Sequence, residues 1–417
     1  MAWYTTSIDF PGRFAPENGR EQEFTLVLVS LLIPYFVSFY QLVSYAWTSV
    51  NGPFQGCWAY LQDCDKFYFL QALPFGYSQT IFYAGIFLVF LIAAEGIIKK
   101  KWSQVWWMLF MLFLWKIFVD FIIGTQPGNF EYYDLVFSFI VLFLPFRSWF
   151  LRLSFVFLYF LASTIKFHEG WVLGTYFTSL QNGLAIFGDA LAPVFTIVVI
   201  IMQMIGSWFL LSQRGHLRAV VFFYFFCFHV YSGVYVGWRY LSSDLFMLST
   251  LFYLHENPKP VPFNRRSMFG YFFLFLLLLA QLSPKLIPGD QKFTLEANNF
   301  GLYMFEANHQ CISTVRVNDA TANYVVDEHT RFSVDAKSRC NPLFYLQRIK
   351  KICATLDQGK SVSWTFDHSV NGGPFFRMID EENACVLQYA PFSHNTWIKY
   401  DREKMEIVGY PLKNYYF

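Results

Sequence analysis

The sequence predicts an all-α polytopic membrane bundle of about nine spans, followed by a C-terminal extracytoplasmic α+β domain. Hydrophobic residues make up 55% of the chain and charged residues only 14%, against about 45–50% and 25% in soluble domains. Several apolar runs reach the roughly 20 residues that cross the hydrocarbon core of a bilayer. From residue 291 the composition becomes that of a water-soluble domain. The expected environment is therefore the lipid bilayer, and a net charge of only +2 gives no reason to expect a nucleic-acid partner.

The apolar pattern divides the chain into three parts. Residues 1–23 are polar and carry acidic side chains, unlike a cleavable signal peptide, and form the predicted cytoplasmic N-terminus. Residues 24–290 form the predicted transmembrane domain, and residues 291–417 form the extracytoplasmic domain. The nine predicted spans are residues 24–46, 75–98, 103–124, 133–146, 152–166, 185–211, 218–238, 241–255 and 267–287.

Basic residues set the predicted orientation, because loops rich in Lys and Arg stay on the cytoplasmic side of a membrane. With nine alternating spans, the basic clusters around Lys99, Arg147, Arg214 and Arg265 all fall on one side. We therefore expect a multi-pass membrane protein with a cytoplasmic N-terminus. Its C-terminal domain is expected in the periplasm, outside the cell or in a lumen.

The cysteines support this orientation independently, since only Cys227 lies within a predicted span. The other six fall on the predicted non-cytoplasmic side, where an even number in an oxidising compartment predicts disulfides. Cys57 and Cys64 are the first expected bridge because they are close in sequence. The predicted outer segments contain no Asn-x-Ser/Thr sequon, which favours a bacterial envelope. Three pairings remain open for the four distal cysteines, which are Cys311, Cys340, Cys353 and Cys385.

The C-terminal domain shows strand and helix patterns in alternation. Asn341 followed by Pro342 is a helix-start signal and predicts a helix over residues 343–356. The turn sequence at Asn371 predicts a hairpin between residues 361–366 and 375–379. Further strands are predicted at residues 293–296, 301–305, 312–317 and 331–334.

Lys166 lies where a predicted span ends and the sequence Lys-Phe-His-Glu-Gly-Trp begins. Loss of water disfavours the ammonium form of a lysine, so such an amine can act as a base. The alternative is a lysine that extends its charged end to the membrane surface. His229 lies inside another apolar span, and ionisable groups at that depth usually mark chemistry or transport. Its alternative is a core histidine bonded to a backbone carbonyl of a neighbouring helix.

Other polar side chains lie within or beside the spans. Lys116 and Asp120 are one helical turn apart and predict either a neutralising pair or part of a proton path. Glu131 lies at the predicted outer end of a span. It is interpreted either as a solvated carboxylate or as a carboxylate that takes up a proton. His168 would line the entrance beside Lys166. The histidine spacings indicate no metal site, so none is predicted.

The stretch from Lys166 to Gly174 resembles the segment of vitamin K-dependent gamma-carboxylases that carries their proposed catalytic lysine. In that family a tryptophan follows the lysine five residues on and a glycine eight residues on, as Trp171 and Gly174 do here. A later aromatic-rich span of the family has a Phe-His pair, which Phe228-His229 resembles. The likeness to this horizontally transferred transmembrane (HTTM) domain covers roughly residues 20–285. Bacterial members include the sporulation-delaying protein B family, with a role in peptide toxin maturation.

The resemblance implies that Lys166 deprotonates a reduced quinone of the vitamin K or menaquinol type, which then reacts with oxygen. His229 would orient or stabilise the intermediate. The chain also departs from the family: Glu131 stands where a histidine is expected in an outer loop, and Ser232 stands where an asparagine is expected. These departures argue against glutamate carboxylation and leave quinol-dependent chemistry as the expectation. The pocket residues expected around the two groups are Trp171, Gly174, Tyr231, Ser232, Glu131 and His168.

Two classes of function follow from these patterns. The first is a membrane enzyme with a carboxylase-like or epoxidase-like activity on a lipid-soluble quinol. The second is a non-catalytic membrane scaffold or maturation factor, whose outer domain binds a secreted protein or peptide. A transporter ranks third, because no pair of Gly/Pro-interrupted helices occurs at matching positions of two halves.

Overall fold

The structure is a computed structural model and describes residues 10–48, 77–121, 129–174, 186–236, 238–298, 307–318, 323–331, 340–356 and 360–409. The chain is mostly helical, with a small antiparallel sheet near its C-terminus. The longer helices are α1 (Glu21–Thr48), α2 (Tyr77–Ile98), α3 (Trp102–Phe121), α4 (Asn129–Phe143), α5 (Arg147–Thr164), α6 (Ala192–Met204), α7 (Gly215–Val236), α8 (Trp238–Tyr253), α9 (Arg265–Leu282) and α10 (Pro342–Ala354).

Within the described ranges, five helical segments are long and apolar enough to cross a membrane. Helices apolar on all sides, such as α2, bury one face against protein and leave the rest for lipid. These segments indicate a multi-pass membrane protein. The other four predicted spans coincide with α3, α4, α5 and α8, and the count of nine stays a prediction, as does the orientation. The five segments are Glu21–Tyr40, Thr80–Ile98, Asp189–Leu211, Gly215–Val234 and Arg265–Leu286.

The chain divides into two compact units, and the division falls within α5 and α9. The first unit is Met1–Leu158 with Ile205–Leu277, and the second is Tyr159–Met204 with Leu278–Phe417. The predicted domain boundary after residue 290 stays a prediction.

Buried arginines connect helix ends in the first unit. Arg152 donates to the backbone carbonyls of Leu210 and Glu256, and Arg218 donates to those of Ser212 and His255. A buried guanidinium has five donors to satisfy, and the uncapped carbonyls at helix C-termini are suitable acceptors. Charge-assisted hydrogen bonds from these arginines to backbone carbonyls therefore join the ends of helices in this unit.

The second unit contains a five-stranded antiparallel sheet in the order β2-β1-β3-β4-β5. Apolar side chains alternate along β1 and β3 and pack with α10 into a core that includes the fully buried Trp364. Asn341 caps α10 by accepting from the Leu343 backbone N–H, as its sequence position predicts. The strands are β1 (His309–Asn318), β2 (Asn323–Arg331), β3 (Ser361–Val370), β4 (Phe375–Glu381) and β5 (Ile407–Val408).

Two disulfides select one of the three open pairings, Cys311 with Cys340 and Cys353 with Cys385. The expected Cys57–Cys64 bridge lies outside the described residues.

Most predicted elements of the C-terminal region are confirmed, and one is wrong. The α10 helix, strands β1, β3 and β4, and the hairpin turn at Asn371 occur where the sequence predicts them. Residues 293–296 do not form a strand, because Asp290 caps a short helix at Gln291–Thr294 and Leu295 then adopts a left-handed conformation. Residues 301–305 and 332–334 lie outside the described residues, and β2 ends at Arg331.

Candidate functional site

Lys166 is a fully buried lysine in the second unit, two residues after α5 ends. Its Nζ donates to Oε1 of Gln203 at 2.6 Å and lies 5.0 Å from the ring centroid of the buried Trp171. The full burial and these two contacts hold the amine away from bulk water.

Local backbone geometry brings the tryptophan to the amine. His168, which has an extended backbone and is half-buried, directly precedes the short helix Glu169–Val172. Gly174 ends the segment with φ +76°, and a Cβ there would lie 2.9 Å from Cβ of Ala192 at the start of α6. Only glycine combines that backbone conformation with such a close approach. The predicted pocket residue Gly174 thus has a structural role in placing the Trp171 segment against α6.

Gln203 is a functional candidate that the sequence analysis missed. Its Oε1 also accepts from the Ser163 hydroxyl at 2.7 Å, and its side chain is fully buried. The sequence does carry a signal, because Gln203 is the amide that interrupts the apolar run of α6. A buried amide needs hydrogen-bond partners, and the described partners of Gln203 are Ser163 and Lys166.

Within the second unit, residues of the C-terminal sheet contact the same segment. A Cβ at Gly170 would overlap Nδ2 of Asn371 and lie 2.9 Å from the ring of His168. Asn371 is held in turn, since its Oδ1 accepts from the Asn308 backbone N–H at 2.8 Å. Lys285 donates to Thr164 on the α5 terminus. The Lys166 segment is therefore covered by the hairpin turn between β3 and β4.

His229 belongs to the first unit and pairs with a carboxylate, Asp244. The distance from Nδ1 of His229 to Oδ1 of Asp244 is 2.7 Å, and both side chains are buried. A Cβ at Gly233 would lie 2.8 Å from Oδ2 of Asp244, so the helix backbone approaches the carboxylate closely. Ser232 is buried and Tyr231 is half-buried on the same helix. A carboxylate at Nδ1 fixes the imidazole tautomer and directs its Nε2 toward proton acceptance.

Asp244 is the second residue that the sequence analysis missed. It stands out in the sequence as the acidic residue within the predicted span at residues 241–255.

A further polar cluster in the first unit contains Lys116 and Glu131. Lys116 donates to the hydroxyl of Ser38 at 2.8 Å, and its Nζ lies 3.8 Å from Oδ2 of Asp134. Asp120, its predicted partner, is helical, and its side chain lies outside the described part. The described carboxylate partner of Lys116 is therefore Asp134 on α4.

Lys166 and His229 fall in different compact units, and each is described with the neighbours of its own unit. Across the described ranges, no three His, Cys, Asp or Glu side chains group as metal ligands would. Comparison of the chain with protein-family models, curated proteins and solved structures found no match.

Proposed function

We propose that the protein is an integral membrane enzyme that uses the Lys166 amine as a base toward a reduced quinone or a similar lipid-soluble substrate. The observation that carries the proposal is the burial of this amine between Gln203 and Trp171. Shielding from water disfavours the charged form of a lysine and so prepares its amine to act as a base. The likeness of residues 166–174 to the carboxylase segment points to the same chemistry.

The residues around Lys166 are chemically suited to a reduced quinone. Such a cofactor supplies an ionisable hydroxyl and reducing electrons when bound. In the proposed reaction the neutral Lys166 amine accepts the hydroxyl proton. Gln203 accepts a hydrogen bond from the amine and so orients its lone pair. Gln203 is therefore a positioning residue in this proposal.

His229 contributes separately. With Asp244 at its Nδ1, the imidazole is prepared to accept a proton at Nε2 and to carry the resulting positive charge. We assign it a role in proton transfer or in stabilising an anionic intermediate. Glutamate carboxylation is not part of the proposal, because Glu131 and Ser232 replace residues that the carboxylase likeness requires.

The experiment supplies reduced menaquinone and oxygen to the purified protein in nanodiscs and measures oxidised quinone. The wild-type protein should turn over, and Lys166→Met should lower the rate by about 10²–10⁴-fold, as removal of a general base does. Lys404→Met is the matched control, because Lys404 is strongly exposed and paired with Asp401. Equal rates for the wild-type and Lys166→Met proteins would contradict the proposal.

A second candidate function is a scaffold or maturation factor for a secreted protein or peptide. It is supported by large apolar side chains exposed on the disulfide-bonded outer domain: Val386, Phe392 and Ile407. Exposed apolar groups of this kind often mark binding surfaces. If the protein has this function, a secreted partner should co-purify with it. The Phe392→Ser variant should release that partner, and the Lys166→Met variant should retain it. Quinone turnover that depends on Lys166 would argue against this function.

A further inference from the structure

One end of the first unit carries exposed basic side chains that are separate from the groups used in the proposed function. They lie in two segments of this unit, residues 212–218 at the start of α7 and residues 255–266 before and at the start of α9. We call these four exposed residues the basic surface: Arg214, Lys259, Arg265 and Arg266.

Hydrogen bonds hold the two segments together. Nε2 of Gln213 donates to the backbone carbonyl of Pro258 at 3.0 Å, and each of these two residues is next to a member of the basic surface in the sequence. The buried Arg218 makes a second connection, since its guanidinium donates to Oδ1 of Asn257 at 2.6 Å. The basic side chains of the two segments therefore belong to the same end of the unit.

The second segment is also held against the first turn of α9. The hydroxyl of Ser267 donates to the backbone carbonyl of Pro262 at 2.7 Å. Oδ1 of Asn264 accepts from the backbone N–H of Arg266 at 3.0 Å and so caps the helix. Because this cap uses a backbone group, it leaves the guanidinium of Arg266 at the surface.

The described carboxylates do not neutralise the basic surface. Glu256 lies in the second segment, but its Oε1 is 3.5 Å from Nε of Arg20, with which it pairs. No described carboxylate forms an ion pair with a side chain of the basic surface. The guanidinium of Arg266 instead lies over the ring of Phe146, 5.0 Å from its centroid. Exposed cations grouped in this way attract anionic ligands.

The basic surface lies where two apolar segments begin. Of the segments long enough to cross a membrane, Gly215–Val234 directly follows Arg214, and Arg265–Leu286 begins within the basic surface itself. In a bilayer, basic side chains at the end of such a segment lie close to the lipid headgroups. Phe263 lies beside them in the sequence and is 74% exposed, which suits the boundary between headgroups and acyl chains.

We propose that the basic surface binds the headgroups of anionic phospholipids. Its guanidinium groups donate to phosphate oxygens, and its positive charges favour a lipid of net negative charge over a zwitterionic one. The occupant is a lipid rather than free phosphate, because the surface lies at the start of two apolar segments and beside the exposed Phe263. The inference does not depend on the proposed enzymatic activity.

Native mass spectrometry of the protein in detergent micelles tests the proposal by titration with phosphatidylglycerol or with phosphatidylcholine of the same acyl chains. We expect the wild-type protein to bind phosphatidylglycerol more tightly. Each basic side chain at an anionic surface contributes about fivefold in affinity, so Arg265→Gln/Arg266→Gln should weaken phosphatidylglycerol binding about 25-fold. Equal affinities of the wild-type protein for the two lipids would overturn the proposal.

Lys99→Gln/Lys100→Gln is the matched control, because it removes the same net charge from exposed lysines at the end of another apolar segment. These lysines already pair with Glu95 and Glu21, so the control variant should bind phosphatidylglycerol nearly as tightly as the wild type. Equal losses in both double variants would indicate attraction to overall charge alone and would overturn the site. Displacement of the bound lipid by inorganic phosphate at constant ionic strength would also overturn it.

Discussion

Nδ1 of His229 and Oδ1 of Asp244 lie 2.7 Å apart, with both side chains buried on helices that follow each other in the chain. A histidine in an apolar helix thereby acquires a buried hydrogen-bond partner. The close backbone at Gly233 leaves little room for the carboxylate to move. The strength of this pairing can be measured without knowledge of the substrate.

A double-mutant cycle measures that strength. His229→Ala and Asp244→Ala should each destabilise the protein, because each leaves a buried polar partner behind. The double variant should be less destabilised than the sum of the two, with a coupling energy of about 1–3 kcal/mol. Unfolding of the purified protein in mixed micelles gives these values. Additive effects of the two substitutions would contradict a direct interaction.

We expect the two disulfides to stabilise the C-terminal region by similar amounts. Their sequence separations are 29 and 32 residues, so loop entropy assigns each about 3–4 kcal/mol. Replacing both cysteines of one pair by serine should lower the urea midpoint for proteolysis of this domain by a similar amount in either case. Peptide mapping under non-reducing conditions tests the pairing itself. A peptide that joins Cys311 to Cys353 would contradict the structure.

The buried His368 should make the stability of the C-terminal region sensitive to acid. Burial lowers its pKa from 6.5 to about 3, and its Nε2 lies 3.1 Å from Nδ1 of the buried His309. The unfolded chain binds a proton below about pH 6.5 that the folded domain excludes. Stability from this group is therefore complete above that pH and is lost as pH falls towards 3, by up to about 1.4 kcal/mol per pH unit.

Urea unfolding between pH 7 and pH 4 measures this loss, and His368→Phe should flatten the slope over that range. Burial also opposes ionisation of Asp290, but the charges of Lys292 and Arg402 outweigh it and lower the pKa of that carboxyl. Asp290 therefore adds its own loss at lower pH in both proteins. A slope that is unchanged in His368→Phe would contradict the prediction.

The close approach of Gly170 to Asn371 links the Lys166 segment to the hairpin turn of the C-terminal sheet. Gly170→Ala places a methyl group onto Asn371 and should destabilise the second unit by about 1–3 kcal/mol. Asn371 has φ +54°, so Asn371→Gly suits that backbone and removes the overlapping side chain. The double variant should recover part of the loss in thermal unfolding. Gly85→Ala is the control, because nothing lies within 4 Å of its added methyl.

Composition and local signals predicted the class of fold, because long apolar runs and capping residues act over short stretches of sequence. The Asn341 cap, the turn at Asn371 and the strands around Trp364 are examples. The strand predicted at residues 293–296 was wrong, since its apolar residues also suit the short helix that Asp290 caps.

Long-range partners were not predicted from the sequence. Lys116 was expected to pair with a residue one turn away, but its described carboxylate partner is Asp134 on another helix. Gln203 and Asp244 were missed for the same reason, because their roles depend on which helices become neighbours. Sequence identified the ionisable groups within spans, and only packing supplied their partners.

The proposed function depends most on the Lys166 amine being kept from water, and the rate at which this amine is acylated tests that directly. A water-soluble amine reagent applied briefly to the protein in nanodiscs, followed by peptide mass spectrometry, compares Lys166 with the exposed Lys404. Reaction of a fully buried amine requires local opening, so we expect Lys166 to react at least about a hundredfold more slowly, equivalent to about 2.7 kcal/mol. Both should react alike after denaturation. Equal rates in the folded protein would contradict the central claim.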